Sequence, residues 1–281
     1  MRKLFIIVVV LIGSSACFAN NVLVILSSEE ELQLANNKTY YTGFFLNEMA
    51  VPTKALSDKG FSIIYATPKG NAPVMEKASD HEKFFENEKE YLEHRNFVEK
   101  TGFLDRNNEK VKSFDLLLKE GLDEYVAIFT PGGHAPMIDL VRDEKLGRIL
   151  KHFHDNKKPT AMVCHGPVSL ISTMDDPQAF INAVINRDFK KAQSLSRNWP
   201  YKGYSMTVYS TLEEIFSEKY KLKGPIEFYP QLGLDFAGGN LIVKKKFQSN
   251  FVQDRELLTG QNPYSDKEFT QALLKMLESN Y

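Results

Sequence analysis

Short apolar runs recur along this chain, separated by longer stretches whose apolar residues return every three or four positions. Residues 22–26, 61–66, 125–129 and 160–163 are strand-length runs with few or no polar interruptions. That pattern fits strands buried on both faces, as in a parallel sheet covered by helices. Between them, residues 42–59 show helical spacing through Phe45, Met49 and Leu56, with Gly60 as a stop. Residues 138–156 predict a second helix, and a third is expected directly after Cys164. Thr67-Pro68-Lys69-Gly70 and Thr130-Pro131-Gly132-Gly133 are turn clusters closing the second and third strands. Ser265-Asp266-Lys267-Glu268 reads as a capping box opening a final helix, Ser265 and Glu268 each satisfying a first-turn amide. Strands alternating with helices in this way imply βαβ units and a doubly wound, mostly parallel α/β sheet.

Two stretches break the rhythm. Residues 71–120 are highly charged and read as mostly helical, with Phe84, Phe85, Tyr91, Phe97 and Phe114 as scattered apolar anchors. They are expected to form an inserted cap, because so thin an apolar content does not make a separate core. Residues 221–263 read as short strands and turns, punctuated by Gly224-Pro225 and Gly238-Gly239. There is no internal repeat and no low-complexity tract.

The N-terminus reads as a secretory signal peptide over residues 1–19: Arg2 and Lys3, an apolar stretch over 4–12, then small residues ending at Ala19. The expected mature chain, 20–281, is a single exported domain, periplasmic or secreted. Lipid attachment at Cys17 is the lesser alternative, since Ser14 stands where such signals usually carry an aliphatic residue. Removing Arg2 and Lys3 takes 35 basic residues to 33 against 36 acidic ones, so the mature charge is about −3. Nothing in that balance, and no basic tract, suggests a nucleic-acid partner. The two cysteines, Cys17 and Cys164, do not make a disulfide, because Cys17 leaves with the leader or lies at its edge. An unpaired thiol in an oxidising compartment is a liability unless buried or used.

Lys158-Pro159-Thr160-Ala161-Met162-Val163-Cys164-His165-Gly166-Pro167 carries the main candidate chemistry. A buried strand turning sharply into a helix would hold Cys164 on a strained elbow facing the helix N-terminus, where thiolate charge is favoured. The alternative is a small buried hydrophobe, and spacing alone leaves both open. Gly132 and Gly133, at another strand end, could supply oxyanion-binding amides or form an ordinary turn. Glu48 lies among Phe45, Leu46, Met49 and Val51, where a carboxylate is either desolvated and used or a solvated helix residue. His152 and His154 are two apart on a helix and cannot share one metal, and His81 and His94 fall in the charged insertion. No spacing supports zinc or a dinucleotide fingerprint.

Phe129-Thr130-Pro131-Gly132-Gly133-His134, Ala161-Met162-Val163-Cys164-His165-Gly166-Pro167 and Thr42-Gly43-Phe44-Phe45-Leu46-Asn47-Glu48 together resemble the DJ-1/PfpI superfamily, which is class I glutamine amidotransferase-like. The Cys-His pair, the insertion and Leu257-Leu258-Thr259-Gly260-Gln261-Asn262-Pro263 resemble its chaperone and glyoxalase III branch. The resemblance runs from about Val22 to the C-terminus. It implies a flavodoxin-like three-layer sandwich with Cys164 as nucleophile, Glu48 as acid/base partner, His165 as second triad-like member, and Gly132 and Gly133 as oxyanion donors.

By the same resemblance the chain is expected to be a glyoxalase III-type lyase or a deglycase, acting without cofactor or metal on small dicarbonyls or glycated substrates. A stress holdase binding unfolded clients, or a cysteine peptidase or amidohydrolase, is the alternative, and a homodimer is expected by analogy. Two positions depart from the family pattern. The triad acid is expected after the strand near 204–209, where the matching position is Thr211, so Glu213 is the candidate to take its place, with Glu214 beside it. Some branch members bind zinc through histidines on the helix after the Glu48 position, where this chain has Ala55 and Ser57.

Overall fold

The computed structural model describes residues 20–107 and 109–279, so the leader expected over 1–19, Cys17 included, lies outside the described residues. The strands, in chain order, are β1 (Asn21–Ile25), β2 (Glu31–Gln33), β3 (Thr39–Tyr41), β4 (Ser62–Thr67), β5 (Val111–Ser113) and β6 (Tyr125–Thr130). They continue with β7 (Thr160–Val163), β8 (Ser205–Met206), β9 (Asn240–Leu241), β10 (Phe251–Asp254) and β11 (Leu257–Gly260). A seven-stranded central sheet runs β10-β11-β7-β6-β1-β4-β5. Its pairs are parallel except β10 with β11. The helices are α1 (Leu46–Asp58), α2 (Glu88–Thr101), α3 (Phe114–Glu120), α4 (Glu144–Asp155), α5 (Pro177–Ile185), α6 (Phe189–Leu195), α7 (Thr211–Ser217), α8 (Pro230–Ala237) and α9 (Asp266–Glu278).

The alternation of β1 builds both layers of the sandwich. Leu23 and Ile25 point to one face, into a core with Leu146, Ile149, Leu150 and Phe153 of α4. Val22 and Val24 point to the other, against Leu46 and Met49 of α1 and Phe269 and Leu273 of α9. A strand buried on both faces has no solvent side, which is why its sequence is unbroken apolar. Each such side chain contributes about 1.5–3 kcal/mol by leaving water. This is a flavodoxin-like α/β sandwich. From β1 the chain winds outward through β4 and β5 on one side and returns to β6 on the other, opening a crevice at the carboxyl ends of β1 and β6.

Several boundaries differ from the sequence pattern, each for a local reason. Residues 42–45 are extended rather than helical: Phe44 bridges Met75, and Phe45 caps α1 in a β conformation. The stretch from 138 is a 3₁₀ turn, Leu140–Arg142, before Asp143 breaks it and caps α4 by accepting the Leu146 amide at 2.8 Å. The element after Cys164 is a 3₁₀ helix, Gly166–Thr173. The capping box is Asn262 with Ser265, one turn earlier than expected, while the Glu268 carboxylate accepts from the Ser249 hydroxyl. Residues 221–263 contain α8 as well as short strands. Within 71–120, β5 joins the edge of the sheet and Val111, Phe114 and Leu117 are buried, so the end of the stretch is anchored in the core.

Candidate active site

β7 runs into Cys164, whose backbone adopts φ +59°, the left-handed region that side-chain-bearing residues rarely occupy. Such a conformation costs about 1–3 kcal/mol and persists only when the surroundings enforce it. Here they do. The Cys164 amide donates to Gly260 O at 2.9 Å, and its carbonyl accepts from the Tyr209 amide at 2.9 Å. The elbow throws the side chain off the end of the sheet toward the turn after β6. A Cβ on Gly132 would lie 2.4 Å from Cys164 Cβ and 2.5 Å from Glu48 Oε2. Only glycine there lets the thiol and the carboxyl meet.

Cys164 Sγ lies 3.2 Å from His165 Nδ1, so the sequence neighbours are in contact. His165 Nε2 lies 2.7 Å from Glu214 Oε2, and the other oxygen of that carboxylate is 2.9 Å from His134 Nε2. One buried carboxylate therefore serves two imidazoles, whose ring centres are 4.0 Å apart. The ring of Tyr209 stacks on His165 at 4.7 Å.

The acid at this place is Glu214. Thr211 opens α7 with its amide held by Gln231. Glu213 turns away from the thiol, which corrects its expected position. Its carboxylate accepts from the Ser210 amide and hydroxyl, the Phe247 amide, and the side chains of Gln261 and Asn262. Glu213 thus ties together three loops at the cleft, while Glu214, one residue on, faces His165.

Glu48 is completely buried, and neither carboxylate oxygen meets a hydrogen-bond partner of ordinary geometry. Burial pushes its pKa up to about 8, against an opposing pull from the Cys164 thiol and the charge of Lys221. It therefore keeps its proton at neutral pH. Burial, and next the charge of Glu48, raise the Cys164 thiol well above its usual range, while the Gly133 amide donates toward the sulfur and pulls the other way. His165 is held down at about 4 by burial and by His134, with Glu214 opposing. Burial works against ionisation of Glu214, but His134 and His165 hold it far below the usual carboxylate range. With Nε2–H donated to Glu214, His165 Nδ1 is left as the acceptor facing the thiol, an assignment made from its partners. The thiol thus has an imidazole acceptor on one side and, on the other, a buried carboxyl whose burial favours its protonated form.

Cys164, His165, His134 and Gly133 open onto a cleft of about 470 Å³. In the sequence His134 stands only as the end of a glycine turn; its Nδ1 is buried and unpartnered. Among the described residues, His134, His165 and Glu214 are the group whose donor atoms, within 4.8 Å of one another, could converge on a metal ion. The other histidines stand apart: His154 meets Glu256 at 2.8 Å, His152 faces Asp123, His94 bonds the Glu90 carbonyl, and His81 caps a 3₁₀ turn.

A family model described as ThiJ/PfpI family-like matches residues 40–222, the segment that carries Glu48, Gly132, Gly133, Cys164, His165 and Glu214. The protein/nucleic acid deglycase HchA of Staphylococcus aureus is 28% identical over 240 residues, covering 84% of this chain and 72% of the relative. Rapid Encystment Protein 24 KDa of Francisella tularensis has a similar fold, with a TM-score of 0.69 at 21% identity over 92% of this chain and 98% of that one. Glyoxalase III of Candida albicans is similar at a TM-score of 0.68 and 19% identity, over the same shares of the two chains.

Proposed function

This chain belongs to the ThiJ/PfpI-like family, the DJ-1/PfpI superfamily, and from that premise we propose that it converts 2-oxoaldehydes such as methylglyoxal to 2-hydroxy acids through Cys164, or removes them from their adducts. The observation that carries the proposal is a buried carboxyl and a buried imidazole on either side of one buried thiol. Glyoxalase III and deglycase are the names of similar proteins, and the chemistry fits this site.

In the proposed reaction Sγ attacks the aldehyde carbon as its proton passes to His165 Nδ1, 3.2 Å away. The new oxyanion is stabilised by amides of the Gly132-Gly133 turn and takes up a proton, giving a hemithioacetal. The carbon-bound hydrogen then leaves as a proton to a carboxylate or imidazole base, and the adjacent ketone oxygen takes one from an acid. The resulting enediol collapses when a proton returns to the second carbon and the hydroxyl on the first carbon gives up its proton to a base, leaving a thioester of the 2-hydroxy acid on Cys164. Water cleaves the thioester and restores the thiol. The sum is aldehyde and ketone plus water giving acid and alcohol, with no external oxidant. A group that exchanges protons near neutral pH suits both directions of the shuffle, and Glu48 at about 8 is such a group.

The test is lactate formation from methylglyoxal by the purified protein without glutathione, followed by proton NMR. Lactate should appear, and Cys164→Ser should slow it by at least ~10³-fold, the scale of losing a catalytic nucleophile. No lactate from the wild type, or full activity in Cys164→Ser, would overturn the reading. A holdase activity is the second reading, favoured by the exposed Leu212, Ile215, Phe216 and Tyr220 on α7 and the turn after it.

A further inference from the structure

The cleft above Cys164 is far larger than a three-carbon dicarbonyl, and its walls are aromatic. At about 470 Å³ it falls in the size range that encloses ligands of many more atoms. Phe45 and Phe84 meet edge to face at 4.7 Å on one wall, and Phe216 and Phe247 at 5.0 Å on another. Phe247 is held at φ +63°, a costly conformation for a bulky residue, with its amide bound by buried Glu213 at 2.8 Å. Strain of that kind is retained where a side chain must be aimed, and here the ring is aimed into the cleft mouth.

The charge of the cleft has one sign. No Asp or Glu is among the described residues that line it. The ammonium groups of Lys83, Lys246 and Lys221 lie 4.8 Å over Phe84, 5.1 Å over Phe216 and 5.2 Å over Phe45. Lys221 is neutralised by Glu76, but Lys83, which also lines the cleft, makes no ion pair among the described residues. A ring slotted between these walls would find the Lys83 ammonium, which lines the cleft, at its edge on the Phe84 side.

We propose that the preferred substrate is an aryl 2-oxoaldehyde bearing an anionic group on its ring, stacked between the two walls with the anion at Lys83. This rests on the catalytic reading above and names the substrate class for that same site. Methylglyoxal would reach the thiol but leave both walls in water.

The test compares kcat/KM for methylglyoxal, phenylglyoxal and 4-carboxyphenylglyoxal, together with calorimetric binding of the corresponding product acids, lactate, mandelate and 4-carboxymandelate. Phenyl should exceed methyl by about tenfold or more, the scale of burying one ring. The ring carboxylate should add about threefold, a gain that shrinks as salt rises. Phe247→Gly, which tolerates a positive φ, and Phe216→Ala should each reduce the phenyl-to-methyl ratio. The variant Lys83→Glu should reverse the preference for the ring carboxylate. Methylglyoxal turnover with equal kcat/KM for all three substrates and equal binding of the three acids would overturn the substrate class while leaving the catalytic reading intact. Selective binding of 4-carboxymandelate without turnover of any dicarbonyl would support the cleft assignment and sink the catalytic reading.

Discussion

Adjacent residues on a helix point about 100° apart, and Glu213 and Glu214 divide their work along that angle. Ser210-Thr211-Leu212-Glu213 is a capping box, so Glu213 is committed to the start of α7 and to the loops it binds there. The next position is left to point at His165. The spacing from Ser210 to Glu213 was visible in the sequence and is the signal that separates the two acids. The shared carboxylate was not visible, because His134 reaches Glu214 from a strand end 80 positions away. Glu214→Gln should lower kcat by ~10²–10⁴-fold, as expected when a triad acid no longer fixes the histidine tautomer, with the fold retained by circular dichroism. Glu213→Gln should instead weaken the fold by about 1–3 kcal/mol through lost charge-assisted hydrogen bonds. It should alter KM for aryl substrates, through Phe247, more than kcat. Equal kinetic losses in the two variants would contradict the division.

At the level of elements, the site is made by two strand ends pressed together, and glycine sets the closeness. Gly133 has φ +87°, and a Cβ there would fall 2.0 Å from Gly43 O and 3.1 Å from the Phe45 amide, at the entry to α1. Gly133→Ala should therefore push the β6 turn off the start of α1 and carry Glu48 away from Cys164. We expect a loss of about 2–4 kcal/mol by urea unfolding, from strain and steric overlap together, and a fall in activity greater than the loss of folded protein explains. A variant of unchanged stability would show that the turn has slack. The central strands β1, β6 and β7 were legible because burial on both faces writes a nearly unbroken apolar run. The ends of α1 and α4 were not. Residues 42–45 carry helix-compatible side chains, yet the close approach of Gly43 to Val74 O leaves room only for extended chain. Tertiary contact overrides local preference there. The edge strand β5 is three residues within a charged stretch, too short to leave a pattern.

Across the whole molecule, buried acids shifted in opposite directions shape stability against pH. Glu48 is raised from its ordinary 4.5 to about 8, so the folded protein holds that proton longer than the unfolded chain does. Its contribution is complete below about pH 4.5 and is lost as pH rises toward 8. Asp139 and Asp266, each raised to about 6, chiefly by burial, act in the same sense at lower pH. Glu214 is shifted the other way, so its contribution is present above 4.5 and is lost as pH falls below that value. His165, depressed from 6.5 to about 4, also weakens the fold as pH falls through that interval. Glu48→Gln keeps the shape of the protonated carboxyl and cannot ionise. Its unfolding free energy relative to wild type should be near zero at pH 4, grow steadily from pH 5 to 8 in favour of the variant, and level off above 8, reaching a few kcal/mol. Denaturant unfolding of both proteins at pH 4, 6, 8 and 9 would show this. A constant difference across that series would mean Glu48 carries no shifted proton, and the acid/base role given to it would lose its physical basis. An active variant with the predicted stability curve would separate the proton from the chemistry. Wild-type activity falling as pH rises through 8, together with an inactive Glu48→Gln, would join them.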